Sequence, residues 1–251
     1  MIRMKNWVLV MVLLLSGANF GFSQVELSTE ETKKEKKKEK KEKKERVKDN
    51  TTSVFGTANW SFTTRKLESN DGLFGDSLGK RADEKGLGTW SFELGFRNKL
   101  HKYLSFEGGI SYMKNGESYS MEESDTAYAY ETRYSYVGMP IKLYFTYGDK
   151  VKLLAGGGVV PQMLVGYKQD REWKTTLGSS GSETVKTKID YSSFVISAVV
   201  NVGIQVNLGG NWSALFVPEY KIQLTSSMIK TADYKHYGRS LGFNFGVIVD
   251  L

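Results

Sequence analysis

Ser240-Leu241-Gly242-Phe243-Asn244-Phe245-Gly246-Val247-Ile248-Val249-Asp250-Leu251 is the stretch that decides the fold. Leu241, Phe243, Phe245, Val247, Val249 and Leu251 make one continuous apolar face, and the residues between them are mostly small or polar. A period of two marks a strand whose two faces meet different surroundings. The same period recurs at Trp90, Phe92, Leu94 and Phe96 against Ser91, Glu93, Gly95 and Arg97. It returns from Phe194 to Leu208, where the even positions are apolar and Ser197, Asn201, Gly203, Gln205 and Asn207 lie between them.

Extended along the chain, this reading predicts eight strands, near residues 54–65, 87–97, 103–113, 128–147, 151–167, 190–208, 212–224 and 238–251. Their connections alternate in length. Asn98–Lys102, Gly148–Lys150 and Gly209–Asn211 are short, whereas 66–86, 114–127, 168–189 and 225–237 are long and rich in Gly, Ser, Lys, Glu and Asp. An even strand number, with short turns on one rim and long loops on the other, predicts an all-β fold. It is an eight-stranded antiparallel up-and-down transmembrane β-barrel, occupying residues 53–251. A soluble eight-stranded barrel would turn its apolar face inward and needs no such loop asymmetry.

The short turns set a register. Pairing about Asn98–Lys102 puts Phe96 opposite Leu104, Leu94 opposite Phe106 and Glu93 opposite Glu107. Pairing about Gly148–Lys150 puts Phe145 opposite Leu153 and Leu143 opposite Ala155; about Gly209–Asn211, Val206 meets Ala214 and Ile204 meets Phe216. Like meets like in each hairpin, as register demands when one face sees a distinct solvent. Aromatics gather where strands should meet membrane interfaces: Tyr103, Tyr147 and Trp212 by the short turns, and Trp90, Tyr112, Tyr167 and Tyr191 by the long loops. Pro140, Pro161 and Pro218 fall inside the strands and each removes a ladder donor, so bulges or strand ends are expected at Pro140 and Pro161. Gly156-Gly157-Gly158 lies opposite a tyrosine-rich strand and leaves room for rings in a narrow lumen.

Ahead of the strands, Arg3 and Lys5 precede the apolar run Trp7–Leu15 and then small residues up to Ser23. This pattern predicts a secretory signal peptide over residues 1–23, cleaved near Ser23/Gln24, with an uncleaved anchor as the alternative. The nine-residue run is too short for a transmembrane helix, which needs about 20. Residues 24–52 form a Lys/Glu-rich periplasmic tail, disordered or helical, with too little apolar surface to join a core. The formal charge of +7 is concentrated here: the tail to residue 50 has 11 basic groups against 8 acidic, whereas residues 51–251 have 22 against 20. That near-neutral body gives no reason to expect nucleic acid as a partner. The absence of cysteine excludes disulfides, thiolate metal sites, a cysteine nucleophile and a lipoprotein anchor. With only His101 and His236, a multi-histidine metal site is excluded too, and no cofactor is expected.

Tyr136-Val137-Gly138-Met139-Pro140-Ile141-Lys142-Leu143-Tyr144-Phe145 resembles the central-strand pattern of the PorT-like family of small outer-membrane barrels of Bacteroidota, with its apolar-Pro-apolar core. Asn244-x-Gly246-x-x-Val249-x-Leu251 resembles the C-terminal signal read by the barrel-assembly machinery. The resemblance spans roughly residues 53–251. It implies an outer-membrane location, a periplasmic N-terminus and the assembly machinery as a partner. It implies little about activity, since one branch of the family serves a protein-secretion apparatus.

Chemical motifs are scarce. Gly72 to Lys80 lacks the first glycine of a phosphate loop, and Arg81 stands where the magnesium-binding Ser/Thr would be. His236, near Ser226, Ser227 and Ser240, is the sole candidate for a lipid hydrolase, but reads as a solvated loop histidine. Asp76-Ser77-Leu78 and Asp125-Thr126-Ala127 look like Bacteroidota O-glycosylation acceptors. By parity, Glu93, Glu107, Lys142, Glu219 and Lys221 face the lumen, where charges must be paired to be tolerated. A Glu93–Lys142–Glu107 cluster closing the lumen is therefore expected, with trapped water around separate charges as the alternative. The functional expectation is a non-catalytic structural or protein-interaction role in the outer membrane, with lipid around the barrel and a periplasmic partner for the tail. A passive small-solute channel and a surface lipid-modifying enzyme are the alternatives.

Overall fold

The computed structural model describes residues 51–69, 84–123, 126–175, 179–232 and 234–251. The expected signal peptide, nearly all of the charged tail, the Gly72–Lys80 stretch and the Ser77 tripeptide lie outside the described residues. Among those described, ten strands form one antiparallel sheet. They are β1 (Thr52–Ser69), β2 (Lys85–His101), β3 (Leu104–Glu123), β4 (Thr126–Gly138), β5 (Ile141–Gly148), β6 (Val151–Lys174), β7 (Ser180–Val185), β8 (Phe194–Gly209), β9 (Trp212–Gln223) and β10 (Tyr234–Asp250). The eight staves of the barrel are β1, β2, β3, β4 continued by β5, β6, β8, β9 and β10; β7 hangs on the far end of β6. The ring closes where β1 pairs with β10, from Ser53↔Asp250 to Ser69↔Tyr234.

The expected fourth strand is interrupted at its proline: β4 ends at Gly138 and β5 begins at Ile141. Pro140 has no N–H for the ladder, but its carbonyl accepts from Gly109 N at 3.3 Å, and Met139 N donates to Pro161 O at 2.9 Å. Pro161 corrects the expectation, because β6 runs through it unbroken and pairs it with Ile196. The irregularity lies four residues on. Ser135 pairs with Gly166 but Tyr136 pairs with Leu164, so Val165 is an extra residue on β6.

Two of the three predicted registers are corrected as well. β2 continues to His101 and turns at Lys102-Tyr103, so Phe96 faces Gly108, Leu94 faces Ile110 and Glu93 faces Ser111. This four-residue shift replaces the like-charged pair Glu93/Glu107 by the opposite-charged pair Arg97/Glu107, which cross-strand energetics favour. The second hairpin shifts by two, with Phe145 opposite Ala155 and Leu143 opposite Gly157; Gly148 takes the turn at φ +118. The third has the expected register, with Val206 facing Ala214 and Ile204 facing Phe216. Two of the expected long loops, 114–127 and 168–189, are instead largely strand, and β1 enters a third. The β3–β4 hairpin continues to Glu123 and Thr126, β6 and β7 continue the sheet beside it, and β1 runs to Ser69. Ladder hydrogen bonds need only backbone, so a Ser/Glu/Lys-rich stretch extends a hairpin that its neighbours have already begun.

Because both register shifts are even, the faces stay as expected. The apolar residues of the alternating strands point outward and are exposed, with Leu94 at 69%, Val202 at 67% and Ile110 at 65%. Inside, two apolar layers fill the ring: Phe55, Tyr144, Leu154, Leu215, Val217 and Ile248 toward the short-turn end, and Met113, Tyr134, Tyr136, Val160, Leu164, Val195 and Val199 toward the other. The glycine run fits its tyrosine neighbour closely, since a Cβ at Gly156 would fall 2.6 Å from Tyr144 Cδ1. At Gly158 a Cβ would fall 2.0 Å from Ile141 O, in the backbone of the adjoining strand. Gly158→Ala should therefore force β5 and β6 apart and cost about 1–3 kcal/mol, as overpacking does. Denaturant midpoints of the folded barrel measure this, and an unchanged midpoint would contradict the close approach.

Candidate functional site

The interior beside the short-turn apolar layer, on its side toward the other layer, holds the densest set of charges. Glu93 stands on β2, Glu107 on β3, Lys142 on β5 and Glu219 on β9, and the register pairs Glu107 directly with Lys142. Lys142 Nζ donates to both oxygens of Glu93 at 2.8 Å, and lies 3.4 Å from Glu107 and 3.9 Å from Glu219. Both Lys142 and Glu107 are buried. Arg97, absent from the expected set, completes the group: its Nε and Nη2 donate to Glu107 Oε2 at 3.0 and 2.6 Å, and Nη1 donates to Gln205 at 3.2 Å. The guanidinium also lies 4.7 Å from the centre of the Tyr144 ring. Glu219 accepts from Asn201 at 3.2 Å and Asn244 at 3.3 Å, and Asn244 accepts from Asn59 at 2.9 Å.

Of the five expected lumen residues, four therefore come together around one ammonium. Lys221 does not join them. It is buried, with Nζ 3.4 Å from Met113 Sδ and no carboxylate among the described residues within ion-pair distance. The free space bounded by Phe55, Arg97, Glu107, Lys142, Tyr144 and Val217 is only about 10 Å³. That is about the least that holds one water molecule. Side chains, not solvent, occupy the ring at this level.

A second ionic group, which the sequence reading missed, lies beyond the Tyr134 layer. Arg65 contacts Glu84 at 2.5 Å and Glu117 at 3.1 Å; Tyr134 donates to Glu117 at 3.0 Å, and the Tyr130 hydroxyl bonds Glu84. Glu117 lies in an expected loop and Arg65 at the end of an expected strand, where alternation gives no guide to which way a side chain faces. Tyr167 is a further correction. The extra residue at Val165 flips the inside–outside order of β6, and Tyr167 packs inside against Tyr134 and Tyr191 instead of standing in an outer belt. Tyr191 is likewise packed in this interior cluster. Trp90, Tyr112, Tyr147 and Trp212 do stand outward and exposed. Farther along the extension, Lys168 and Thr184 donate to Asp170 at 2.6 and 2.7 Å and hold its carboxyl below the usual range.

His236 is not a solvated loop residue. It lies on β10 with 2% exposure, its Nδ1 against Ser227 Oγ, and Ser227 is fully buried. A serine sealed in this way offers no approach to an acyl ester. Among the described residues, no group of three His, Cys, Asp or Glu side chains is arranged to hold a metal. Thr126 opens β4 and is exposed.

No family model matches the chain, and no curated protein matches it. Similar solved structures include the outer membrane protein OprG from Pseudomonas aeruginosa, 10% identical with TM-score 0.42 over 80% of this chain and 96% of OprG. Neisserial surface protein A is 15% identical with TM-score 0.37, over 80% of this chain and 97% of its own. Ail, the attachment invasion locus protein of Yersinia pestis, is 16% identical with TM-score 0.33, over 79% and 99%. With every one of these TM-scores below 0.5, the likenesses carry no argument about what the chain does, and the ring of eight strands rests on its own pairings.

Proposed function

We propose that this chain is an outer-membrane barrel with a structural or protein-interaction role, non-catalytic and closed to solutes, of the PorT-like type. The observation that carries the reading is the outward face. A continuous band of exposed Leu, Val, Ile and Phe is unsuited to water and suited to lipid. Trp90 and Tyr112 edge this band on the long-loop side, and Tyr147 and Trp212 on the short-turn side. The packed interior favours a closed barrel over a passive channel, and the burial of Ser227 and His236 speaks against a lipid-modifying site.

The lack of any cysteine makes a clean topology test available. Ser180→Cys lies on β7 beyond the long-loop rim and Lys150→Cys in a short turn. In intact cells an impermeant maleimide should label Ser180→Cys at once, and Lys150→Cys only after the outer membrane is permeabilised. Equal labelling of both, or recovery of the protein as a soluble periplasmic monomer, would sink the proposal.

A further inference from the structure

The short-turn end of the ring opens into a chamber of about 780 Å³ that the ion cluster closes from above. Its charged lining is Arg97, Lys99, Lys102 and Lys152 against Asp149 and Asp250. One of the two carboxylates is already engaged, with Asp250 accepting from Ser53 Oγ at 2.6 Å. Arg97 forms the deep end, buried and held in place by Glu107 and Gln205. Lys99 comes from β2, Lys102 from the β2–β3 turn and Lys152 from β6, so the cations stand on separate parts of the wall. Ile248 is the one aliphatic side chain of the lining, and Tyr103 and Tyr147 stand at the mouth.

We propose that this chamber is a blind socket for an acidic peptide segment presented from the periplasm. The inference rests on the outer-membrane reading, which makes the short-turn end periplasmic. The volume falls within the roughly 300–1,000 Å³ range of ligand pockets. Cations spread over the wall suit several side-chain carboxylates; one compact phosphate would need them to converge. The mainly polar and charged lining disfavours an acyl chain. Such a socket supplies the structural or interaction role with a partner of defined chemistry.

The test uses the mature protein folded in detergent, with fluorescein-labelled pentaglutamate as probe and labelled pentalysine as control, read by fluorescence anisotropy. The parent should bind pentaglutamate saturably and pentalysine not at all. The double variant Lys102→Glu/Lys152→Glu should bind about tenfold more weakly or worse, since two attractions become repulsions. Binding should also fade at about 1 M salt, where screening reaches about 3 Å. Equal affinity in parent and double variant, or tighter binding of inorganic triphosphate than of pentaglutamate, would overturn the socket. The same samples run heated and unheated on gels separate the two ideas. A heat-shifted barrel that ignores pentaglutamate overturns the socket alone, whereas no heat shift in the parent overturns the membrane barrel beneath it.

Discussion

Lys142→Ala is expected to destabilise the barrel by about 3–5 kcal/mol at pH 7, the cost of breaking a buried ion set by removing one partner. Arg97 would still hold Glu107, but Glu93 would lose both of its 2.8 Å contacts and Glu219 its nearest cation. Protonation removes the uncompensated negative charge. The deficit should therefore be fully present at neutral pH, shrink steadily as the pH falls toward the ordinary glutamate range, and be largely gone near about 4. The triple variant Lys142→Met/Glu93→Gln/Glu219→Gln, which deletes the charges together, should recover much of the loss. Urea midpoints in detergent across pH 4–8 (about the carboxylate-to-neutral range) give the measurement. A Lys142→Ala protein as stable as the parent at pH 7, or steady nanosiemens-scale conductance through the parent in planar bilayers, would refute closure of the lumen.

Phe245→Arg tests the opposite face. Phe245 points outward, two residues from Phe243, the partner of Trp60, and four from Val249, the partner of Trp212. It packs against Phe216 at 5.2 Å in the middle of the apolar band. An arginine here should cost about 2–4 kcal/mol in lipid, whereas Val249→Arg, level with Trp212, should cost about 0–1. If the band met water instead, both substitutions would fall within about 0.5 kcal/mol, as surface changes usually do. Folding equilibria in phospholipid bilayers separate a depth-dependent loss from two small equal ones.

What the sequence revealed of this fold was parity, and parity survives certain errors. The β2–β3 register is four residues from its expected place and the β5–β6 register two, yet Glu93, Glu107 and Lys142 still face inward because even slips preserve faces. The extra residue at Val165 is an odd step with no compositional mark, and it turns Tyr167 inward against the expectation. Arg97 was legible in principle: setting it against Glu107 satisfies charge pairing, a stronger criterion for that hairpin than matching apolar to apolar. Glu117 and Arg65 were hidden for another reason. Strands that leave the apolar band lose the alternation that reveals them, though their backbone ladder continues unchanged.

The seam between β1 and β10 has a consequence for how the molecule is made. The first and last staves pair along their whole length, Ser53 with Asp250 through Ser69 with Tyr234, so the longest interval in the chain must be bridged to complete the ring. Until synthesis reaches Asp250, every intermediate sheet carries two unpaired borders, each able to recruit a foreign strand. Contacts so distant in sequence also slow the search for the native state. On the outer-membrane reading, the chain would cross the periplasm unclosed, with both borders in need of cover until its two ends meet.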